Sequence, residues 1–487
     1  MLTFCKNSDI IEKKSGDIDM KYSDNKVADI NIAYIGGGSR GWAWTFMTDL
    51  ALEQSLSGTI RLYDIDVQAA RNNEIIGNRL SARDDVIGKW KYRTCETIGE
   101  ALDGADFVVI SILPGTFDEM ESDVHLPERL GIYQPVGDTA GPGGAIRALR
   151  TIPMFVEFAE AIKKYSPSAW VINYTNPMSL CVRTLYHVFP EIKAFGCCHE
   201  VFNTQNLLKD ICRLEYGVQD IDRRDIIVNV LGLNHFTWFD SASYKGIDLF
   251  PVYDRFINAH PDGFDPGDKW KDSVFNCAHM VKFDLFKRYG LIAAAGDRHL
   301  AEFMPGEMYL KNPDEVGKMK FSLTPVSWRK KDLANRLAKS ARLVGGEEEI
   351  ELKPTGEEGI LLIKALCGLE RVVSNVNVPN AHLQIENMSA DTVVETNAVF
   401  SRDSIKPVFA GALPENVREL MTPHVENQRR ILNAAMNCDR ELVYEAFLSD
   451  PLIKGRAGET EVKRLADDMI ANTAKYLPKE WEAKIKA

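Results

Sequence analysis

Ile30 to Ile35 (INIAYI) is a strand-like apolar run that breaks into Gly36-Gly37-Gly38-Ser39-Arg40-Gly41, with a helical pattern following through Leu50. A G-x-G-x-x-G turn between a strand and a helix restricts the chain more than any other feature in it. The glycines permit a tight turn and close backbone approach, and the helix N-terminus favours a pyrophosphate. The next strand, Thr59 to Asp64 (TIRLYD), ends in an acid about where such a fold places its ribose partner. Asp64 would accept from both ribose hydroxyls and repel a 2′-phosphate, so NAD is expected rather than NADP. Gly36, Gly38, Ser39, Arg40, Gly41 and Asp64 are the expected cofactor contacts. Pro114 closes the strand Ala105–Leu113, where a nicotinamide would lie. The competing reading is an ordinary glycine turn with a solvated Asp64.

The stretch from Ala169 to Val201 repeats the alternation. A short strand (Trp170-Val171-Ile172) breaks at Asn173-Tyr174-Thr175-Asn176-Pro177, an amphipathic segment follows, and a second strand ends near Gly196-Cys197-Cys198-His199-Glu200. Parallel sheets bind ligands beyond the carboxyl ends of their strands, which brings Asn173, Asn176, Cys198 and His199 toward one crevice. Between these units a long loop ends in Val136-Gly137-Asp138-Thr139-Ala140-Gly141-Pro142-Gly143-Gly144, and Arg147 to Lys164 is helical, with Ile152, Phe155, Ala159 and Ile162 on one face. A loop this long in a compact domain is usually functional. The fold class expected is α/β, a Rossmann-like doubly wound parallel sheet, followed by a second, mixed and mostly helical α+β domain.

At 487 residues two domains are expected. Residues 1–29 read as a disordered N-terminal extension, 30–200 as the NAD-binding domain, and 201–487 as a substrate-binding and oligomerisation domain. The last part, from Leu323, reads as mostly helical with short strands. The charge, 58 − 70 = −12, argues against nucleic-acid binding. No run approaches the ~18 apolar residues that span a bilayer, and the N-terminus has no signal pattern. The nine cysteines are scattered without a C-x-x-C pair, which fits a reduced, cytoplasmic setting.

Two further patches carry chemistry. Asp225–Leu233 looks like a strand delivering Asn234-His235, and Gly296-Asp297-Arg298-His299-Leu300-Ala301-Glu302-Phe303 follows an apolar run. Cys198 and His235 could give a thiolate and an imidazole to a divalent metal, leaving open positions for substrate oxygens. On spacing alone, a small buried cysteine and a hydrogen-bonded core histidine explain the same residues. His199, Asp297, Arg298 and His299 could likewise form a solvated turn.

Taken in order, Gly36-Gly37-Gly38-Ser39, Gly137–Gly144, Asn173-Tyr174-Thr175-Asn176-Pro177-Met178, Cys198-His199-Glu200-Val201, Gly232-Leu233-Asn234-His235 and Gly296-Asp297-Arg298-His299 resemble glycoside hydrolase family 4. The resemblance implies a lactate/malate dehydrogenase-like fold, a tightly held NAD⁺, a divalent metal (usually manganese) and a homodimer or homotetramer. It places Cys198 and His235 at the metal and Asn176 at the substrate. His199 stands where the phospho-α-glucosidase branch has an aspartate used as the acid, which makes it the resemblance's candidate for the catalytic acid beside Asp297. The phosphoglycosidase branch uses a tyrosine as base near Gly296–Phe303; none occurs in that stretch here, and Asp297 is the natural substitute. The forms Cys-His-Glu-Val, Gly-Leu-Asn-His-Phe-Thr-Trp and Gly-Asp-Arg-His-Leu-Ala-Glu-Phe resemble most closely the family's bacterial α-galacturonidases, with α-glucuronidase and α-galactosidase as alternatives. That implies a uronic-acid oligosaccharide substrate, with Arg298 and His299 gripping its carboxylate. Cleavage would proceed by C3 oxidation, C2 deprotonation at Asp297, and elimination followed by water addition, outside the two-carboxylate scheme. Readings from other classes are an NAD-dependent 2-hydroxy-acid dehydrogenase and a non-catalytic NAD sensor.

Overall fold

The computed structural model describes residues 20–481. Its strands are β1 (Lys21–Ser23), β2 (Lys26–Ile35), β3 (Leu56–Tyr63), β4 (Trp90–Cys95), β5 (Phe107–Ile110), β6 (Trp170–Asn173), β7 (Lys193–Gly196), β8 (Ile226–Leu233), β9 (Phe236–Tyr244), β10 (Ile247–Asp248), β11 (Ile292–Ala293), β12 (Val372–Pro379), β13 (Val393–Ser401) and β14 (Ser404–Pro407). Six of them form a parallel sheet in the order β4-β3-β2-β5-β6-β7. The order reverses between β2 and β5, the switch point at which such sheets take a dinucleotide. Side-chain alternation along β2 explains why the sheet is covered on both faces. Ile32 and Tyr34 pack into one apolar cluster, Ala33 and Ile35 into another.

Two expectations need correction. The extension expected over residues 1–29 is ordered from Met20: β1 pairs with β2 at Lys21↔Ala28, and β2 starts at Lys26, because Val27 and Ile30 are fully buried. The remainder of that extension, residues 1–19, lies outside the described residues. The boundary at 200/201 is crossed by the sheet itself. β12 pairs antiparallel with β7 at Asn377↔Gly196, and β13 and β14 continue that edge. These strands are eight and nine residues long in β12 and β13, and cap an edge that would otherwise be open.

The second region holds a small antiparallel sheet in which β9 pairs with β8, β10 and β11. Its two faces are apolar: Leu231, Leu233, Phe236 and Trp238 enter the largest core cluster, Val230 and Phe239 another. Helices surround it, so the expected mixed, mostly helical α+β character is found. No helix among the described residues is long and apolar enough to cross a membrane.

Candidate active site

The glycine turn after β2 is shaped by what lies against it. Gly36 has φ +92°, and a Cβ there would sit 2.0 Å from the Ser111 carbonyl oxygen. A Cβ on Gly38 would come within 2.9 Å of an Asp64 carboxylate oxygen. That carboxylate follows β3 and accepts the backbone N–H of Gly38 at 2.8 Å and of Asp66 at 2.9 Å. Gly36, Gly38, Ser39, Arg40, Gly41 and Asp64 all line a cleft of about 1260 Å3. Pro114 is buried beside the cleft, where its carbonyl accepts from Arg150 Nε; its neighbours Leu113 and Gly115 face the cleft instead. This backbone cradle suits a dinucleotide.

A second cavity of about 1000 Å3 opens from this cleft. Trp42, Asp138, Tyr174, Asn176, Phe275 and Arg329 line both, so a cofactor in one would meet a ligand in the other. Cys198, His199, His235, Asp297, Arg298 and His299, scattered through a hundred residues of chain, all face this second cavity. Asn173 does not line either cavity; its side chain folds the loop by bonding Thr175 through both amide ends.

His235 occupies the two-residue turn between β8 and β9, at φ +64°, so the hairpin holds the imidazole at its tip. The short helix Asp297–Phe303 brings His299 against it, anchored by Phe303 stacked on Phe236 at 4.8 Å. The glycine-rich loop supplies Asp138. That loop is fixed by Glu302, whose carboxylate accepts the backbone N–H groups of Val136 and Gly137 at 2.6 and 2.9 Å. Thr139 then bonds both Asp138 and His235 Nδ1, the latter at 2.9 Å.

Asp138, His235 and His299 present ligand atoms within 4.8 Å of one another. Burial, then the neighbouring His299 imidazole, pushes His235 down to about 3, and burial lowers His299 despite the Glu200 and Asp138 carboxylates beside it. Burial opposes ionisation of Asp138 and Glu200, but the imidazoles beside them hold both carboxyls below their usual range. All four groups are thus displaced toward their deprotonated forms, which are the forms that bind metal. His299 Nδ1 is buried without a hydrogen-bond partner. The donor set fits a divalent cation.

Cys198 lies in the same cavity, outside this group of three, and burial raises its thiol well above the ordinary range. A nearby cation reverses that preference, because it favours the thiolate. Asn176 donates from Nδ2 to Asp138 at 3.3 Å, and its Oδ1 is buried without a partner. His199 is at the N-terminus of the helix Glu200–Tyr216, with Nδ1 3.1 Å from Glu357. Burial lowers its proton affinity, but the Glu357 carboxylate more than restores it, to about 8. Asp297 is fully buried; it accepts the N–H groups of Val281 and Lys282, and burial raises it to about 6 despite the adjacent Lys282. Arg298 is only partly available to a ligand: Nη2 donates to Pro135 O and Thr324 Oγ1, while Nε is buried and unpartnered.

Sequence reasoning missed several members of the site. Asp138 and Glu200 stood inside stretches already singled out, and their acidity was the available signal. Glu357 and Glu395 carry no local signal. Glu395 enters from β13 and accepts from Asn375 Nδ2 at 2.6 Å and Asn234 Nδ2 at 3.3 Å.

Residues 31–214 match the model of the family 4 glycosyl hydrolases, and residues 230–453 match that family's C-terminal domain. The chain belongs to glycoside hydrolase family 4. An alpha-galacturonidase of Lachnoclostridium phytofermentans is 66% identical, covering 95% of this chain and 100% of its own. Among solved structures, the Bacillus subtilis protein lplD superposes with a TM-score of 0.86 at 50% identity, over 91% of this chain and 100% of its own. A 6-phospho-alpha-glucosidase from gut microorganisms, solved with NAD and Mn2+, has a TM-score of 0.77 at 21% identity, covering 92% and 99%. At that identity the common property is the fold.

Proposed function

We propose that this family 4 hydrolase cleaves α-galacturonides, with NAD⁺ and a divalent metal such as manganese as cofactors. The observation that carries this reading is the junction of a dinucleotide cleft with a cavity holding a deprotonated carboxylate–imidazole group, in a chain 66% identical to an alpha-galacturonidase. When bound, NAD⁺ would supply a hydride acceptor and the metal a Lewis acid, together making the sugar's C2 proton acidic.

The chain's own residues then have distinct tasks. Cys198 and His235, with Asp138 and His299 beside them, hold the metal. Asn176 orients the sugar between the two cavities. Asp297 takes the C2 proton; its raised proton affinity suits a base working near neutral pH. His199, kept protonated by Glu357, gives a proton to the leaving oxygen. Arg298, whose Nε is unpartnered, grips the uronate carboxylate beside His299. A dimer or tetramer in the cytoplasm, and NAD in preference to NADP, complete the proposal. The test is turnover of aryl α-galacturonide, α-glucuronide and α-galactoside with NAD⁺, manganese and a thiol reductant. The galacturonide should be hydrolysed on the order of 10²-fold better than the galactoside; equal rates would refute the assignment.

A further inference from the structure

A second group of ligand atoms lies in the same cavity and shares no member with the three described above. Cys277, His279 and Asp297 bring a sulfur, an imidazole nitrogen and a carboxylate oxygen within 4.8 Å of one another. All three residues line the cavity; Cys277 and His279 are partly exposed, and Asp297 is buried behind them. Cys277 Sγ is 3.8 Å from His279 Nδ1, close to the spacing of two ligands on one tetrahedral cation with bonds of about 2.3 and 2.0 Å.

The local chain explains why they converge. Ala278 is buried and pinned on both sides: its N–H donates to Lys320 O at 3.1 Å, and its carbonyl accepts from Phe264 N–H at 2.8 Å. His279, at φ +61°, then turns directly into the helix Met280–Tyr289. Asp297 is held over that helix start by the N–H groups of Val281 and Lys282, at 3.1 and 3.2 Å. Lys282, buried beside it, donates its ammonium to Thr204 Oγ1 at 2.9 Å. Its charge offsets part of the thiolate and carboxylate charge that a cation would meet.

We infer that Cys277, His279 and Asp297 form a second cation site, of the zinc class, inside the sugar cavity. Three protein ligands with an open fourth position, including a thiolate, select zinc or a similarly soft ion over manganese. On binding, Cys277 releases its thiol proton to solvent and the sulfur, the imidazole and the carboxylate each donate an electron pair; nothing is oxidised. Occupancy ties up the Asp297 carboxylate, so zinc inhibits without displacing manganese. That consequence rests on the base role proposed for Asp297, whereas the binding does not.

The experiment uses the full chain loaded with NAD⁺ and manganese. Zinc is added, the protein is gel-filtered, and both metals are counted per chain by mass spectrometry. The wild type should gain one zinc while keeping its manganese; Cys277→Ser and His279→Gln should not gain it. With cobalt(II) as the probe, a thiolate-to-cobalt absorption band should persist in Cys198→Ser and vanish in the Cys198→Ser/Cys277→Ser double variant. Zinc should inhibit Cys277→Ser at least about tenfold more weakly than the wild type. NAD⁺ binding by each variant checks that it is folded. Equal zinc uptake by Cys277→Ser, or zinc gained only in exchange for lost manganese, overturns the site. Equal inhibition of both proteins overturns its effect on the base. A chain without glycosidase activity would refute the proposed function, while the metal count would still decide this inference.

Discussion

The imidazole rings of His235 and His299 lie 3.8 Å apart, inclined by 33°, although 64 residues of chain separate them. Two protonated imidazoles could not remain so close in a buried site. Both are pushed toward the neutral form, and Asp138 lies within reach of the pair. This contact joins a hairpin turn, a short helix and a glycine-rich loop into one place where a cation can be held.

Removing ligands from that place should remove metal. His235→Ala and Asp138→Asn should each weaken manganese binding by at least ten- to a hundredfold, with activity falling in parallel. Chelation of the wild type should abolish turnover, and manganese with a thiol reductant should restore it. Titration of manganese by isothermal calorimetry is the measurement. Unchanged affinity in either variant would take that residue out of the centre.

Asp297 is expected to move the substrate's C2 proton. In deuterium oxide the released sugar should carry deuterium at C2, as read by NMR, with no accumulation of free NADH. Asp297→Asn should lower turnover by 10²–10⁴-fold, the usual contribution of a positioned base. Because Asp297 also caps the helix Met280–Tyr289, where asparagine keeps one acceptor oxygen, the thermal midpoint of the variant is measured alongside. A folded Asp297→Asn enzyme with the wild-type rate would assign the base elsewhere.

Asp64 holds the glycine turn and faces the dinucleotide cleft. Asp64→Ala should weaken NAD⁺ binding by roughly tenfold, through loss of a charged hydrogen bond of about 1.5–3 kcal/mol, and should narrow the preference over NADP⁺. Fluorescence titration with both dinucleotides measures this. Wild-type protein that binds NADP⁺ as tightly as NAD⁺ would contradict the ribose assignment.

Asp450 gives a pH-dependent stability. It is buried, bonds Leu452 N–H at 2.9 Å, and burial raises its carboxyl to about 7. The folded chain therefore retains a proton that the unfolded chain loses near pH 4. The neutral carboxyl's contribution is fully present below pH 4, falls as pH rises to about 7, and is flat beyond. Asp450→Asn removes this slope. In urea unfolding the variant should gain on the order of 2 kcal/mol relative to wild type between pH 5 and pH 7. A constant difference across that range would show that Asp450 is ionised in the fold throughout.

What the sequence determined by itself was local. The turn at Gly36–Gly41 with Asp64, the strand–loop–helix unit at Trp170–Val188 and the strand leading to His235 are recorded in residue types over short windows, because backbone φ and side-chain alternation are set by neighbours. The family motifs added which of these stretches belong together. Tertiary structure alone decided the rest. β12–β14 join the first sheet because an open edge at β7 accepts hydrogen bonds from any strand of suitable shape, however distant in the chain. Glu357 reaches His199 from 158 residues away, and Glu395 approaches Asn234 from β13. A carboxylate gives no sign in sequence of which imidazole it will meet. The same holds for Asp138 and Asp297: both are plain acids in the chain, and it is folding that draws the first toward His235 and His299 and buries the second over Val281 and Lys282.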